Sequence, residues 1–471
     1  MENGDSNLHI AMFPWLAFGH MIPWLEFAKL LAEKGHRISF ISTPKNIDRL
    51  PKIPPCSSPL INYVRIPLPS LQGLPPNAEA TMDLPPSKVR HLKKAVDMLQ
   101  QPMTHLLESL APDWVLFDFA PYWIPSVAAK LGIKSAFFTI CTATMVAFLG
   151  PSSLLINGDD DRKKLEDFTV PPKWVTFPST IAYRYYDIKN TFDCAEDNIS
   201  GVSDFLRWGW CLKSSDIIMV RSCSEFEPEW LELLESIHQK RVFPVGQLPP
   251  TACETDDKTD SWRWIKDWLD MQEKGSVVYV AFGSEAKPSQ EQLTELALGI
   301  ELSGMPFFWV LRNRRGVADT ELTELPPGFE ERTKGRGVVW TSWAPQLKIL
   351  AHESTGGFLT HSGWSSVVEA LMFGRALILL TFYADQGINA RVLEEKKIGY
   401  SIPRNEFDGS FKRNSVAESV KLVMVSEEGK IYRDKAKEMS GLFGDRARQD
   451  NYVNNILSYL KGNRPTKRVI C

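Results

Sequence analysis

At 471 residues the chain exceeds what one ordinary hydrophobic core organises, so two domains are expected. A content of 44% hydrophobic and 24% charged residues is that of a globular protein, and a net charge of −3 excludes a general attraction to nucleic acid or anionic lipid. Seven cysteines stand singly with no CxxC pair, which argues against a disulfide framework or structural zinc and favours a reducing compartment.

The chain begins MENGDSNLHI, without a basic region leading into an apolar stretch, so no secretory signal is expected. Next come LHIAMFP, a short apolar run, MIPWLEFAKLLAEKG with helical spacing, and the β-branched run HRISFIST. Strand, helix and strand make a βαβ unit, which implies a parallel sheet. INYVRIPL, DWVLFDF, KSAFFTI and DIIMVRS read as further strands. The uncharged run 135–156 is long enough to test as a membrane span, but Thr139, Thr142, Thr144, Gly150 and Pro151 would expose polar groups to lipid, and SAFFTI reads as a buried strand. Residues 246–262, GQLPPTACETDDKTDSW, have linker composition. After them the pattern restarts: SVVYVAFGS, PFFWVLR, GVVWTSW, GGFLTH and ALILLTF are strands, and QEQLTELALGIELSG and SSVVEALMFG are helical. The reading is two open α/β domains, residues 1–245 and 263–449, facing each other across the linker. Ligands of such sheets bind beyond the carboxyl ends of the strands.

The stretch THSGWSSVVEALMFG places a helix directly after GGFLTH. Its free backbone N–H groups and positive dipole end suit a phosphate, and Ser365, Ser366 and His361 add donors. A serine-capped helix beside a satisfied histidine is the plain alternative. Trp343, Gln346, His361, Glu369, Asp385 and Gln386 all fall at or near strand ends or in the next helix, so they can line one edge of the second sheet. An exposed indole stacks on a base, and a carboxylate accepts ribose hydroxyls. In the first half His20 follows the first strand and Asp118 ends DWVLFDF, so in a parallel sheet both face one crevice. A sugar or phenol hydroxyl needs a base to become a nucleophile. Imidazole is matched to neutral pH, and a carboxylate on its far nitrogen fixes the tautomer. By itself His20 reads equally well as a structural cap. His36 and His105 read as structural, and Asp159, Asp160 and Asp161, followed by Arg162, Lys163 and Lys164, as a solvated loop. Neither a P-loop nor GxGxxG occurs.

Residues 343–386, with W-x-P-Q at the start, H-x-G-W-x-S in the middle and D-Q at the end, resemble the sugar-donor signature box of plant UDP-glycosyltransferases, and the resemblance extends over nearly the whole chain. It implies the GT-B fold, with two Rossmann-like domains, the donor in the C-terminal one and the acceptor mainly in the N-terminal one, and a final helical segment, 450–471, crossing back onto the first domain. By the same resemblance Trp343 stacks on uracil, the Ala344 backbone bonds its edge, and Gln346 and Glu369 hold the ribose. His361, Ser366 and the backbone near Trp364 and Ser365 grip the diphosphate, with Ser284 touching a phosphate, while Asp385 and Gln386 bond the sugar hydroxyls. His20 is then the base, paired with Asp118, in a single inverting displacement that uses no metal or other cofactor. Two positions depart from the family pattern: Ser362 stands where cysteine is usual, and Ser365 where asparagine is usual.

The segments PWLAFGHMIPWLEFAKLLAEKGHRISFISTPKNIDRL, AEATMDLP and FGSEAKPSQEQ resemble the branch that adds a sugar to a sugar already on a flavonoid or terpenoid. Trp15, Phe119, Tyr122, Trp123 and Phe148 are the apolar candidates for the acceptor wall. UDP-glucose is the first choice of donor and UDP-rhamnose its rival. The partners expected are a UDP-sugar and a small glycoside, handled by a cytoplasmic monomer without nucleic acid or membrane. A non-catalytic UDP-sugar binder and a GT-B-type sugar epimerase are the competing classes.

Overall fold

The computed structural model describes residues 7–55, 57–195, 199–251, 260–283, 286–311 and 324–465. Seven strands form the first sheet: β1 (His9–Phe13), β2 (Arg37–Ser42), β3 (Ile61–Arg65), β4 (Trp114–Phe117), β5 (Lys134–Thr139), β6 (Ile217–Val220) and β7 (Val242–Pro244). Their order is 3-2-1-4-5-6-7, and every neighbouring pair is parallel. Six more form the second: β8 (Val277–Ala281), β9 (Phe307–Val310), β10 (Gly337–Trp340), β11 (Thr355–Thr360), β12 (Ala376–Leu379) and β13 (Gly399–Ser401). Their order, 10-9-8-11-12-13, repeats the first six positions of the first sheet, again all parallel. This is the α/β, two-domain Rossmann-like architecture. In each sheet the strand order reverses direction once, at β1/β4 and at β8/β11, and that reversal opens a crevice at the carboxyl ends.

β1, β4, β6, β8 and β12 are buried along their whole length, as parallel strands covered by helices on both faces must be. Alternate residues serve two cores. Ile10, Met12, Trp114, Leu116, Ile217 and Met219 join an outer cluster, while Ala11, Phe13, Val115, Phe117, Ile218 and Val220 turn to the other face. The latter cluster continues into Tyr279, Phe308, Phe358 and Leu377 of the second sheet, so one apolar body spans both domains.

The helix Arg446–Gly462, capped by Asp445, lies on the first sheet's outer cluster through Val453, Ile456, Leu457 and Leu460, and Trp114 Nε1 donates to the Leu460 carbonyl at 3.1 Å. The stretch with linker composition starts under restraint. Gly246 has φ of +79°, and an added Cβ there would lie 2.3 Å from the Gln449 side-chain oxygen. Gln449 also donates to Val245 O at 2.6 Å and accepts from Leu248 N at 2.9 Å. The apolar run 135–156 is divided: β5 ends, Thr142 caps a short helix Ala143–Leu149, and Gly150 and Pro151 break the chain before Ser152–Asn157. Among the described residues no helix is long and apolar enough to cross a membrane. β7 and β13, three-residue edge strands, escape a periodicity reading because three residues carry no resolvable period.

Candidate active site between the two sheets

His20 sits in the first turn of the helix Phe18–Glu33, just past β1, and Asp118 is the first residue past β4. The two strands are direct neighbours, so the reversal at β1/β4 brings residues 98 apart in sequence to a 2.7 Å contact between His20 Nδ1 and Asp118 Oδ2. The carboxylate is buried at 1% exposure and its ring partner is 19% exposed. Asp118 is itself fixed by the backbone N–H groups of Trp15 on Oδ2, at 3.1 Å, and of Phe119 on Oδ1, at 2.8 Å. With Nδ1–H donating to the carboxylate, Nε2 carries the lone pair, and the ring lines the cleft.

The opposite wall starts at β11. His361 follows it, and its ring is confined by two glycines: an added Cβ at Gly283 would meet Cε1 at 3.0 Å, and one at Gly363 would meet Nε2 at 2.3 Å. Burial lowers the His361 pKa to about 4, so the ring is neutral at pH 7 and offers an N–H rather than a charge. The helix Trp364–Leu371 begins at Gly363 with no side-chain cap, contrary to the serine-capped alternative, so its first-turn N–H groups face the cleft uncovered. Ser365, Ser366 and Glu369 line the same space. Gln346 Nε2 donates to Glu369 Oε2 at 2.7 Å and accepts on Oε1 from Tyr279 OH at 3.2 Å, and burial raises the Glu369 pKa. Trp343 is 56% exposed, with its carbonyl held by Trp340 Nε1 at 3.1 Å. Ala344 beside it is half-buried. An indole this open is a platform for a planar ring.

Beyond β12, Asp385 and Gln386 line the cleft, with Asp385 close enough to His20 to be influenced by its charge. Burial raises the Asp385 pKa, against an Asn389 hydrogen bond of 2.9 Å and the nearby His20. Gln386 spends its side-chain oxygen on Phe382 N and Tyr383 N, at 2.8 and 3.3 Å, which turns its NH2 into a donor for the cleft. The first domain clamps this loop: Tyr183 OH donates to Ala384 O at 3.0 Å and Asn190 Nδ2 to Phe382 O at 3.1 Å.

The cleft measures about 1060 Å³; His20, His361, Ser365, Ser366, Glu369, Asp385 and Gln386 line it, whereas Trp343, Ala344 and Gln346 do not. Of the expected acceptor wall, Trp15, Phe119 and Phe148 line it, whereas Tyr122 and Trp123 do not. Packing turns both away: the chain turns after Phe119, Trp123 is buried at the start of the helix Ile124–Leu131, and Tyr122 lies under the Arg207 guanidinium, 5.2 Å from its ring centroid. Met145, Leu149, Phe168, Ile188 and Trp208 add to the apolar lining; Met145 and Leu149 share the helix of Phe148, and the others come from separate segments that no local pattern links. The Trp364 indole is also turned away, 2% exposed and donating to Gln247 Oε1 at 3.1 Å, so only its backbone faces the cleft. Ser284 lies outside the described residues. In the loop expected to be solvated, Asp160 pairs with Arg162 and Asp161 with Lys173, and Arg162 enters the cleft wall across Phe168 and Trp174.

Comparison with known proteins gives this geometry its family. Residues 251–450 match the model of UDP-glucoronosyl and UDP-glucosyl transferases. The chain is 51% identical to UDP-glycosyltransferase 91A1 of Arabidopsis thaliana, over 98% of this chain and 99% of the relative. It is 50% identical to UDP-glycosyltransferase 91D2 of Stevia rebaudiana, over 97% and 95%. It is 44% identical to soyasaponin III rhamnosyltransferase of Glycine max, over 98% and 97%. Among solved structures, Phytolacca americana UGT2 complexed with UDP-2fluoro-glucose and pterostilbene superposes with a TM-score of 0.74 at 26% identity, covering 98% of this chain and 100% of that one. The chain therefore belongs to the plant UDP-glycosyltransferases and has their GT-B fold.

Proposed function

We propose that this enzyme transfers a hexose from a UDP-sugar, with inversion, to a hydroxyl of a small plant glycoside, and that His20 is the general base. The observation that carries the reading is the 2.7 Å His20–Asp118 contact on the wall of a cleft whose other wall bears the uncapped helix start and His361. The acceptor hydroxyl gives its proton to Nε2 as its oxygen attacks the anomeric carbon. Asp118 holds Nδ1–H and stabilises the imidazolium that forms. The bond to the diphosphate breaks on the opposite face, and the departing charge is met by the first-turn N–H groups after Gly363 and by the neutral His361 donor, without a metal. Trp343 stacks on the base, the Ala344 backbone meets its edge, and Gln346 and Glu369 take the ribose. Asp385 accepts from sugar hydroxyls and the Gln386 NH2 donates to one.

UDP-glucose is the donor this reading favours, since Gln386 offers a donor and Asp385 an acceptor to adjacent hydroxyls. UDP-rhamnose is the second reading, supported by the rhamnosyltransferase relative from Glycine max and by Ser365 in the donor wall. The same relative supports a glycoside acceptor, whose aglycone would lie on Trp15, Phe119 and Phe148. We place the reaction in the cytoplasm, carried out by a monomer. A donor-by-acceptor panel read by mass spectrometry, with linkage by NMR, tests the assignment. Transfer to glycosides from UDP-glucose is expected. UDP release without any acceptor product would overturn it in favour of hydrolysis, and an isomeric UDP-sugar formed without acceptor in favour of epimerisation.

A further inference from the structure

Arg221 follows β6 in the first domain and is only 1% exposed. Its guanidinium makes three hydrogen bonds: Nε to Gln247 O at 2.8 Å, Nη2 to Leu248 O at 3.4 Å, and Nη1 to Ser365 Oγ at 2.8 Å. All three acceptors are neutral, and a buried cation is costly unless a charge complements it. The third bond crosses from the first domain to the helix Trp364–Leu371 of the second. It is one of a pair, because Gln247, whose carbonyl holds Arg221, also accepts the Trp364 indole N–H at 3.1 Å. Two consecutive residues of this helix's first turn are thus held from outside the second domain, Ser365 by Arg221 of the first domain and Trp364 by Gln247 at the start of the linker.

The direction of the Ser365 bond matters. Oγ accepts from Arg221, so the hydroxyl hydrogen is left to point elsewhere, and Ser365 lines the cleft. A hydroxyl polarised by a buried guanidinium is a strengthened donor. Glu369 lies one helical turn further along the same face, and its charge and that of Arg221 favour each other's ionised forms.

We infer that Arg221 is a positioning residue for the donor: from behind the helix it fixes the Ser365 hydroxyl as a donor to a diphosphate oxygen, so that nucleotide binding depends on the pairing of the two domains. The inference rests on the donor-site reading above. The leaving diphosphate then meets a relay in which a charge in the acceptor-side domain acts through a neutral hydroxyl.

The test uses the full-length enzyme with UDP and UDP-glucose, and the variants Ser365→Ala, Arg221→Lys, their combination and Ser365→Asn. Ser365→Ala and Arg221→Lys should each weaken UDP affinity by about tenfold and raise the UDP-glucose KM similarly, with kcat changed less. In the combination the loss should match that of Arg221→Lys alone, because both variants break one relay. Ser365→Asn, whose carboxamide can accept from Nη1 and still donate into the cleft, should restore UDP affinity to within about threefold. Losses that multiply in the combination, or UDP affinity within about twofold of the parent in Ser365→Ala, would overturn the inference. Trp343→Ala is the control for the underlying reading: if it weakens UDP binding while Ser365→Ala does not, only the relay fails. If Trp343→Ala leaves UDP affinity unchanged, the donor-site reading itself fails.

Discussion

The two walls of the cleft are built in different ways. The proposed donor wall comes mainly from one continuous stretch, 361–386, with an uncapped helix start and a histidine caged by glycines, and the open indole of Trp343 stands outside the cleft lining. The acceptor wall gathers side chains from the segments around Trp15, Phe119, Phe148, Phe168, Ile188 and Trp208. A nucleotide is a constant ligand, and a backbone-rich, contiguous device suits it. An apolar wall assembled from separate loops can change its shape without disturbing that device.

If this contrast holds, damage to the base should abolish chemistry and spare the nucleotide, and damage to the donor wall should do the reverse. His20→Ala is expected to lower kcat by about 10³-fold or more while UDP affinity stays near the parent's. Full turnover in that variant would remove His20 from the base role. Asp118→Asn keeps the shape but loses the charge that holds the Nδ1–H tautomer, so a kcat loss of ~10²- to 10³-fold is expected, measured under saturating donor and acceptor. Trp343→Ala should weaken UDP binding by about ten- to a hundredfold in calorimetry, the range of a lost base-stacking contact.

Gly363→Ala sharpens the same comparison. φ at Gly363 is −62°, so the substitution strains nothing in the backbone, but its Cβ would lie 2.3 Å from His361 Nε2. A displaced imidazole should cost donor KM about tenfold with acceptor KM unaltered. The smallest effect belongs to the seam between the domains. Asp187 of the first domain is buried against the second, where Oδ1 accepts from Thr381 Oγ1 at 2.7 Å and Oδ2 has no partner. Burial raises its pKa to about 6, against Thr381, Arg404 and Arg184, while Glu406 adds to the rise. A carboxyl raised in the folded state costs stability as pH climbs from its unfolded value through about 6, and the cost is constant above that. Asp187→Asn should therefore raise Tm by ~2–4 °C at pH 8, and the gain should vanish near pH 4. An equal gain at both pH values would show that the carboxyl does not titrate there.

How much of this was legible beforehand depends on the range of the interaction involved. His20 and Asp118 could be paired because both follow apolar runs of a βαβ pattern, and such runs end at one crevice. Tyr122 and Trp123 turn away from the cleft lining although they follow Phe119 in an apolar stretch, because sequence cannot say which ring of such a stretch faces the cleft and which the core. Arg162 belongs by pattern to a solvated charge run, yet aromatic rings and the Phe148 and Leu149 carbonyls draw it inward. Arg221 and Gln247 gave no local signal, since their partners, Trp364 and Ser365, lie over a hundred positions away.

Strand-and-helix periodicity thus determines two parallel sheets and the crevice at which His20 and Asp118 meet, and the 343–386 motif marks the proposed donor wall, because each rests on short-range order or on a chain reversal that parallel sheets impose. The shape of the acceptor cleft, the inward turn of Arg162 and the tie from Arg221 to Ser365 were decided only when the two domains packed. Those contacts are set by which faces are buried against each other, and burial between domains leaves no period in the sequence.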